Sequence, residues 1–170
     1  MAESSGAKGI ASSEVPGTDL LVKLQMPSNP EALCLVRATL ERATELLHFQ
    51  ESQSRAIVRS VDEALANIIR HAYQGKSGLP IEVTCKRVRV SKDGAPVTGL
   101  EILLEDSGVA LDPAKLKGRA LDDLRPGGLG LHFIRQSMDE VEFSHKNGKN
   151  QLRMAKYIVP AAAEPKPEGE

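Results

Sequence analysis

The stretch Val61-Asp62-Glu63-Ala64-Leu65-Ala66-Asn67-Ile68-Ile69-Arg70-His71-Ala72-Tyr73 decides how the chain is read. Ile57, Val61, Leu65, Ile68 and Ala72 recur at spacings of three and four, so the segment is expected to be an amphipathic helix over residues 52–73. Gly75 and Gly78-Leu79-Pro80 would end it. On another face Glu63, Asn67 and His71 fall at i, i+4 and i+8. Asn is a poor helix-interior residue, because its amide competes for backbone hydrogen bonds. Placing one there costs on the order of several tenths of a kcal/mol relative to Ala. A carboxylate and a carboxamide oxygen one turn apart can orient a water or hydroxyl together with a hard cation such as magnesium. A plain solvated helix face is the competing reading of the same residues.

Working toward the N-terminus, Ser28 stands as an N-cap, with Pro30 in the first turn and Glu31 three residues on as a capping-box acid. Leu33, Val36, Leu40, Ala43 and Leu47 then mark a first helix reaching about residue 49. Before Pro27, residues 20–26 are β-like. Toward the C-terminus, residues 81–90 and 99–105 read as strands joined through an Asp93-Gly94 hairpin signal. A loop-like stretch follows to Gly130, then a third helix over about 131–138. Strands at 140–144 and 151–159, joined at Lys146-Asn147-Gly148-Lys149, complete the chain. Helices and hairpins segregated in this way predict an α+β two-layer sandwich, with a mainly antiparallel sheet covered on one face. Residues 1–17 and 161–170 are small, polar and Pro-bearing and are expected to stay loose, leaving one domain over 18–160.

Two further segments carry chemistry. Asp106-Ser107-Gly108 ends the apolar run Leu100–Glu105 and places a carboxylate at the rim of the core. Such a group can accept from an exocyclic amine while Gly108 lets backbone pass close to a flat ring; an ordinary Asx turn is the alternative. Arg125-Pro126-Gly127-Gly128-Leu129-Gly130 opens directly into the third helix. Bare N–H groups and the helix dipole suit phosphate oxygens there, with Arg125 as a nearby charge; a flexible turn is the alternative. No Lys-Ser/Thr follows the last Gly and no first strand precedes it, which excludes a Walker loop and the dinucleotide fingerprint.

The bulk numbers narrow the class. Hydrophobic residues at 41% and charged residues at 26% are ordinary for a folded globular domain. A net charge of −1 gives no steering toward nucleic acid or anionic lipid. Aromatics at 3% provide no base-stacking platform. Cys34 and Cys85 have no CxxC or nearby His and read as small buried apolar residues of a reduced compartment. Neither a run of about 18 apolar residues nor a secretory leader is apparent, so a cytoplasmic protein with no membrane partner is expected.

Taken in order, Glu63-x-x-x-Asn67-x-x-x-His71-Ala72-Tyr73, Asp106-x-Gly108 and Gly127-Gly128-Leu129-Gly130 resemble the N, G1 and G2 boxes of the GHKL ATPases. The His-Ala-Tyr ending and the run Gly127–Glu142 are most similar to the anti-sigma-factor serine kinases. The resemblance implies a Bergerat ATP-binding fold with ATP and Mg2+ as ligands. Asn67 would bind magnesium, Glu63 would act as general base, Asp106 would accept from the adenine amino group and Gly108 would line the ring. Gly128 and Gly130 would contact phosphates, with Arg125 as a helper. It implies a protein serine/threonine kinase that phosphorylates a small antagonist protein and sequesters a sigma factor. A nucleotide-dependent binding switch without phosphotransfer is the alternative. Family members usually work as homodimers, so a second copy is an expected partner. His71 and His132 are read as packing or hydrogen-bonding residues, and the loop 110–126 as an abbreviated ATP lid.

Overall fold

The computed structural model describes residues 18–92, 94–110 and 129–158. Five strands form one sheet: β1 (Thr18–Pro27), β2 (Pro80–Lys92), β3 (Ala95–Asp106), β4 (Glu140–Lys146) and β5 (Lys149–Tyr157). Their order is β1-β2-β3-β5-β4 and every pairing is antiparallel. Helices α1 (Leu33–Leu46), α2 (Glu51–Asn67) and α3 (Leu129–Ser137) pack on one face. The expected α+β sandwich with a one-sided antiparallel sheet is the observed fold.

Register explains why one face is covered. Because side chains alternate along a strand, residues paired across the sheet share a face. One rung runs Val22–Cys85–Ile102–Met154–Val141 and the next Leu24–Val83–Leu104–Leu152–Phe143, all apolar and all turned to the helices. Ile57, Val61 and Leu65 of α2 are fully buried against this layer. Each such side chain is worth about 1.5–3 kcal/mol of transfer free energy. The opposite face is a polar ladder in which Glu82 takes Lys23 at 3.1 Å and Lys149 at 3.0 Å, while Arg153 reaches Glu101 at 2.7 Å and Glu140 at 2.8 Å. The third helix-facing rung, Met26–Ile81–Asp106–Asn150–His145, starts apolar and turns polar across β3, β5 and β4. That change of character marks the working edge of the sheet.

Several local expectations are corrected. Ser28 does not cap a helix: its buried hydroxyl donates to the Lys76 carbonyl at 2.7 Å and accepts from Leu79 N–H at 3.0 Å, tying β1 to the entry of β2. A short 3-10 turn, Pro30–Ala32, starts the helical segment, and the capping box belongs instead to Gln50 and Gln53 at the start of α2. Helix α1 stops at Leu46, and the chain turns through His48 at φ 62°. The long helix of the sequence reading is α-helical only to Asn67 and continues as a π-turn, Ile68–Ala72. Cys34 is exposed, its thiol donating to the Glu31 carbonyl at 3.1 Å; only Cys85 is buried as expected, and burial pushes its thiol up to about 12. His71 and His132 are both exposed rather than packed.

Candidate functional site

The π-turn after Asn67 is where the site is built. A π-turn inserts an extra residue into the helical ladder and is found disproportionately at functional positions. Here Tyr73 N–H bonds the Ile68 carbonyl at 2.9 Å, five residues back. Within the turn Ile68, Ile69 and Ala72 are buried and His71 is exposed. It also delivers Ala72 and Tyr73 to the end of β3. Val109 N–H donates to the Ala72 carbonyl at 2.9 Å, and the Tyr73 hydroxyl accepts from Ser107 N–H at 3.1 Å while donating to the Pro80 carbonyl at 2.5 Å. The Asp106-Ser107-Gly108 segment is thereby docked on the turn.

Gly108 is required by that docking. A Cβ at this position would lie 2.5 Å from the Ala72 carbonyl oxygen and 2.7 Å from Ala72 Cβ, distances no side chain tolerates. Asp106 is 5% exposed, and its Oδ1 accepts from Gly108 N–H and from Asn150 Nδ2, each at 2.8 Å. The Asx turn weighed from the sequence is therefore present, and it uses only one carboxylate oxygen. No described residue bonds Oδ2. A buried carboxylate with one oxygen anchored and one open is a directional acceptor.

The second pole lies toward the N-terminal side along α2. Glu63 is one-third exposed, and its carboxylate sits against Gly130 in the first turn of α3. A Cβ on Gly130 would collide with the Glu63 carboxylate, standing 2.5 Å from Cδ and 2.7 Å from Cγ. Arg70 approaches the same carboxylate at 3.8 Å, a charge contact too long for a hydrogen bond, while its Nε donates to the Ala66 carbonyl at 3.3 Å. The half-buried Asn67 carboxamide, between the two poles, receives no hydrogen bond from a described residue. Glu63 and Ala72 are nine positions apart, four along α2 and five through the π-turn, so the two poles lie more than one helical turn from each other. The elongated site thus has a carboxylate and a helix N-terminus at one end and an anchored carboxylate beneath a stripped glycine at the other.

Five of the seven site residues expected from sequence lie in the described structure: Glu63, Asn67, Asp106, Gly108 and Gly130. Arg125 and Gly128, with Gly127 and residues 111–126 of the expected lid, lie outside the described residues. Asn150 was missed. It is 2% exposed, and its side chain contacts Asp106, Gly108 and Val109 together. A lone Asn after a hairpin turn gives no sequence signal; only the pairing of β3 with β5 sets it opposite Asp106. A groove of about 440 Å³ between β1 and α1 is lined by Leu21, Val22, Ala38 and Leu46 among others and includes none of the site residues. No group of three or more His, Cys, Asp or Glu poised for a metal occurs among the described residues.

A one-sided antiparallel sheet with a helix layer, carrying Glu63 and Asn67 on α2 and Asp106 at the end of β3, defines an α+β sandwich of the ATPase type. The family model described as Histidine kinase-like ATPase domain matches residues 26–156, and the chain belongs to that family, within its anti-sigma-factor serine kinase branch. It is 30% identical over 146 residues to a Serine-protein kinase RsbW of Bacillus pumilus, covering 81% of this chain and 86% of that protein. A second Serine-protein kinase RsbW, from Bacillus cereus, is 28% identical over 145 residues, covering 81% and 84% respectively. Among solved structures, the SiaB-SiaC complex from Pseudomonas aeruginosa aligns at a TM-score of 0.46 and 15% identity, over 82% of this chain and 91% of that one. No helix among the described residues is long and apolar enough to cross a membrane.

Proposed function

We propose that this protein binds Mg·ATP along α2 and the π-turn, and transfers a phosphoryl group to a Ser or Thr of a small antagonist protein. In this reading it holds a sigma factor when the antagonist is phosphorylated. The observation that carries the proposal is the Glu63 carboxylate lying against Gly130 at the start of α3. A base and a phosphate-binding helix terminus are then within one side chain of each other. The names of the related serine-protein kinases support the same reading.

The residues present fit the ligands. Asp106 offers an Oδ2 with no described partner to a donor such as an exocyclic amine, while Gly108 lets the backbone beside it pack directly on Ala72. Asn67 presents an unengaged carboxamide, and a single protein oxygen suits magnesium, which keeps waters and phosphate oxygens as its other ligands. When bound, ATP supplies the phosphoryl group and the metal offsets its charge. Gly130 and the α3 N-terminus would support phosphate, with Gly128 and Arg125 as further proposed contacts. Glu63 accepts the proton of the attacking hydroxyl as the new Oγ–P bond forms; the bond between the γ-phosphorus and the bridging oxygen breaks, and ADP leaves. Little covalent work is asked of the protein, so positioning and charge stabilisation carry the rate.

A binding switch without transfer is the second reading, and the Arg70 contact is the observation that favours it, since a base engaged by a counter-charge is less available. Calorimetry and a labelled-ATP transfer assay separate the two. Asn67→Ala is expected to weaken Mg·ATP binding, whereas Glu63→Gln is expected to bind normally and fail to transfer. A Glu63→Gln protein that labels the antagonist at the parental rate would refute the base assignment. A parent that binds without labelling any antagonist would favour the switch, and a parent that does not bind would end the nucleotide reading altogether.

A further inference from the structure

Asp106, Asn150 and His145 occupy one rung of the sheet, paired directly across β3, β5 and β4. The Asn150 amide orientation is fixed by chemistry. Its three neighbours on one side, Asp106 Oδ1 at 2.8 Å, the Val109 carbonyl at 3.1 Å and the Gly108 carbonyl at 3.4 Å, are all acceptors, so Nδ2 must face them. Oδ1 therefore faces His145, whose Nδ1 lies 3.0 Å away and must be the donor. The hydrogen bonds run in one direction, from the His145 Nδ1–H tautomer through Asn150 to Asp106 Oδ1.

That chain leaves Asp106 no freedom to rotate its anchored oxygen outward. Oδ1 is saturated by Gly108 N–H and Asn150, so the oxygen presented to a ligand is Oδ2, as an acceptor only. The same amide clamps the Gly108 and Val109 carbonyls, so the acceptor and the backbone beneath it move as one body. We infer that Asn150, oriented by His145, is the positioning residue that sets the preference of this site for a purine bearing a 6-amino donor. The inference rests on the ATP reading above and goes beyond it in assigning selectivity to residues that do not themselves touch the base.

The test measures selectivity rather than affinity. Parent and variants are titrated calorimetrically with Mg·ATP and with the Mg complex of purine riboside triphosphate, which lacks the 6-amino group. A hydrogen bond to a charged acceptor gives the parent a preference for ATP of roughly tenfold or more. In Asn150→Ala that preference is expected to fall below about threefold, because Asp106 is no longer aimed. A purely structural role would weaken both nucleotides alike and leave the ratio intact, which would overturn the inference. Asn150 is buried and its replacement can unfold the protein, so the exposed His145→Phe provides the second arm. Its ratio is expected to drop about two- to threefold with an unchanged melting temperature. Nitrogen NMR of the neutral His145 ring is expected to show the Nδ1–H form, and an Nε2–H form or an unmoved His145→Phe ratio would also overturn the proposal. A parent with no binding, or with a ratio of one, would instead overturn the assigned role of Asp106, and this inference with it.

Discussion

Substituting Ala at Gly130 and at Gly108 should give opposite results, although both glycines lack room for a Cβ. At Gly130 the obstructing atoms are the far end of a flexible side chain, Glu63 Cδ at 2.5 Å and Cγ at 2.7 Å. Bringing these and the still nearer Oε1 to ordinary contact moves the carboxylate by more than about 1 Å, which rotation about the Glu63 side-chain bonds supplies. The backbone meanwhile gains helix propensity, up to about 1 kcal/mol for Gly→Ala in a helix and less in its first turn. Gly130→Ala is therefore expected to melt at or slightly above the parental temperature. A 1 Å misplacement of a reacting group costs on the order of 100-fold in rate, so transfer should fall by about that factor while the fold persists. At Gly108 the obstructing atoms are the carbonyl oxygen and carbon of Ala72, 2.5 and 2.6 Å from the added Cβ. Backbone held in the π-turn cannot yield, and overpacking of this kind costs about 1–3 kcal/mol. Gly108→Ala should melt several degrees lower and lose Mg·ATP binding. Calorimetric melts, ATP titration and antagonist labelling on the two variants make the comparison. A Gly130→Ala protein that melts normally and transfers at the parental rate would refute the claim that the Glu63 position matters. One destabilised as much as Gly108→Ala would refute the claim that Glu63 can yield.

Other expectations concern charge and reactivity. Tyr157 is buried at the end of β5 and donates to Glu140 at 2.7 Å; burial and that carboxylate push its hydroxyl from 10.0 up to about 12. A raised folded-state value favours the neutral phenol, so its stability contribution is complete below pH 10 and is lost as pH rises through about 12. Tyr157→Phe is expected to flatten that alkaline loss in chemical denaturation series, and an unchanged alkaline slope would count against the assignment. The same hydroxyl, and then Arg153, hold Glu140 below the usual carboxylate range, so its contribution is present at neutral pH and lost on acidification; the Tyr157→Phe melts at low pH check this too. In the native protein a thiol reagent is expected to modify the exposed Cys34 quickly and the buried Cys85 only on unfolding. Two fast thiols in folded protein would contradict the packing of β2.

Much of this was legible in the sequence because it is written in local periods. The three-and-four spacing of Val61, Leu65 and Ile68 dictates a buried helix stripe, and alternation in β2 and β3 dictates a half-covered sheet. The spacing of Glu63 from Asn67 is a helical turn, so their common face followed directly. The residues after Asn67 did not follow, because a π-turn is imposed by the demand to bury Ile68, Ile69 and Ala72 while placing Ala72 under Gly108, a demand from the sheet. The Ser28 capping expectation failed for a related reason: the hydroxyl gains two backbone partners across the β1–β2 junction, more than the single bond a cap supplies. Cys34 showed no sign of exposure, since its residue type says only that it is small and apolar.

The sequence by itself therefore determined the elements, the helix layer over an antiparallel sheet, and the residue types at both poles of the site. Tertiary structure alone decided what those residues touch. Strand register put Asn150 and His145 on the rung of Asp106, and helix packing put Gly130 on Glu63, because such contacts depend on chain segments tens of residues apart meeting at fixed alignment. A local pattern can specify which face a side chain points toward, but only the folded sheet specifies what waits opposite it.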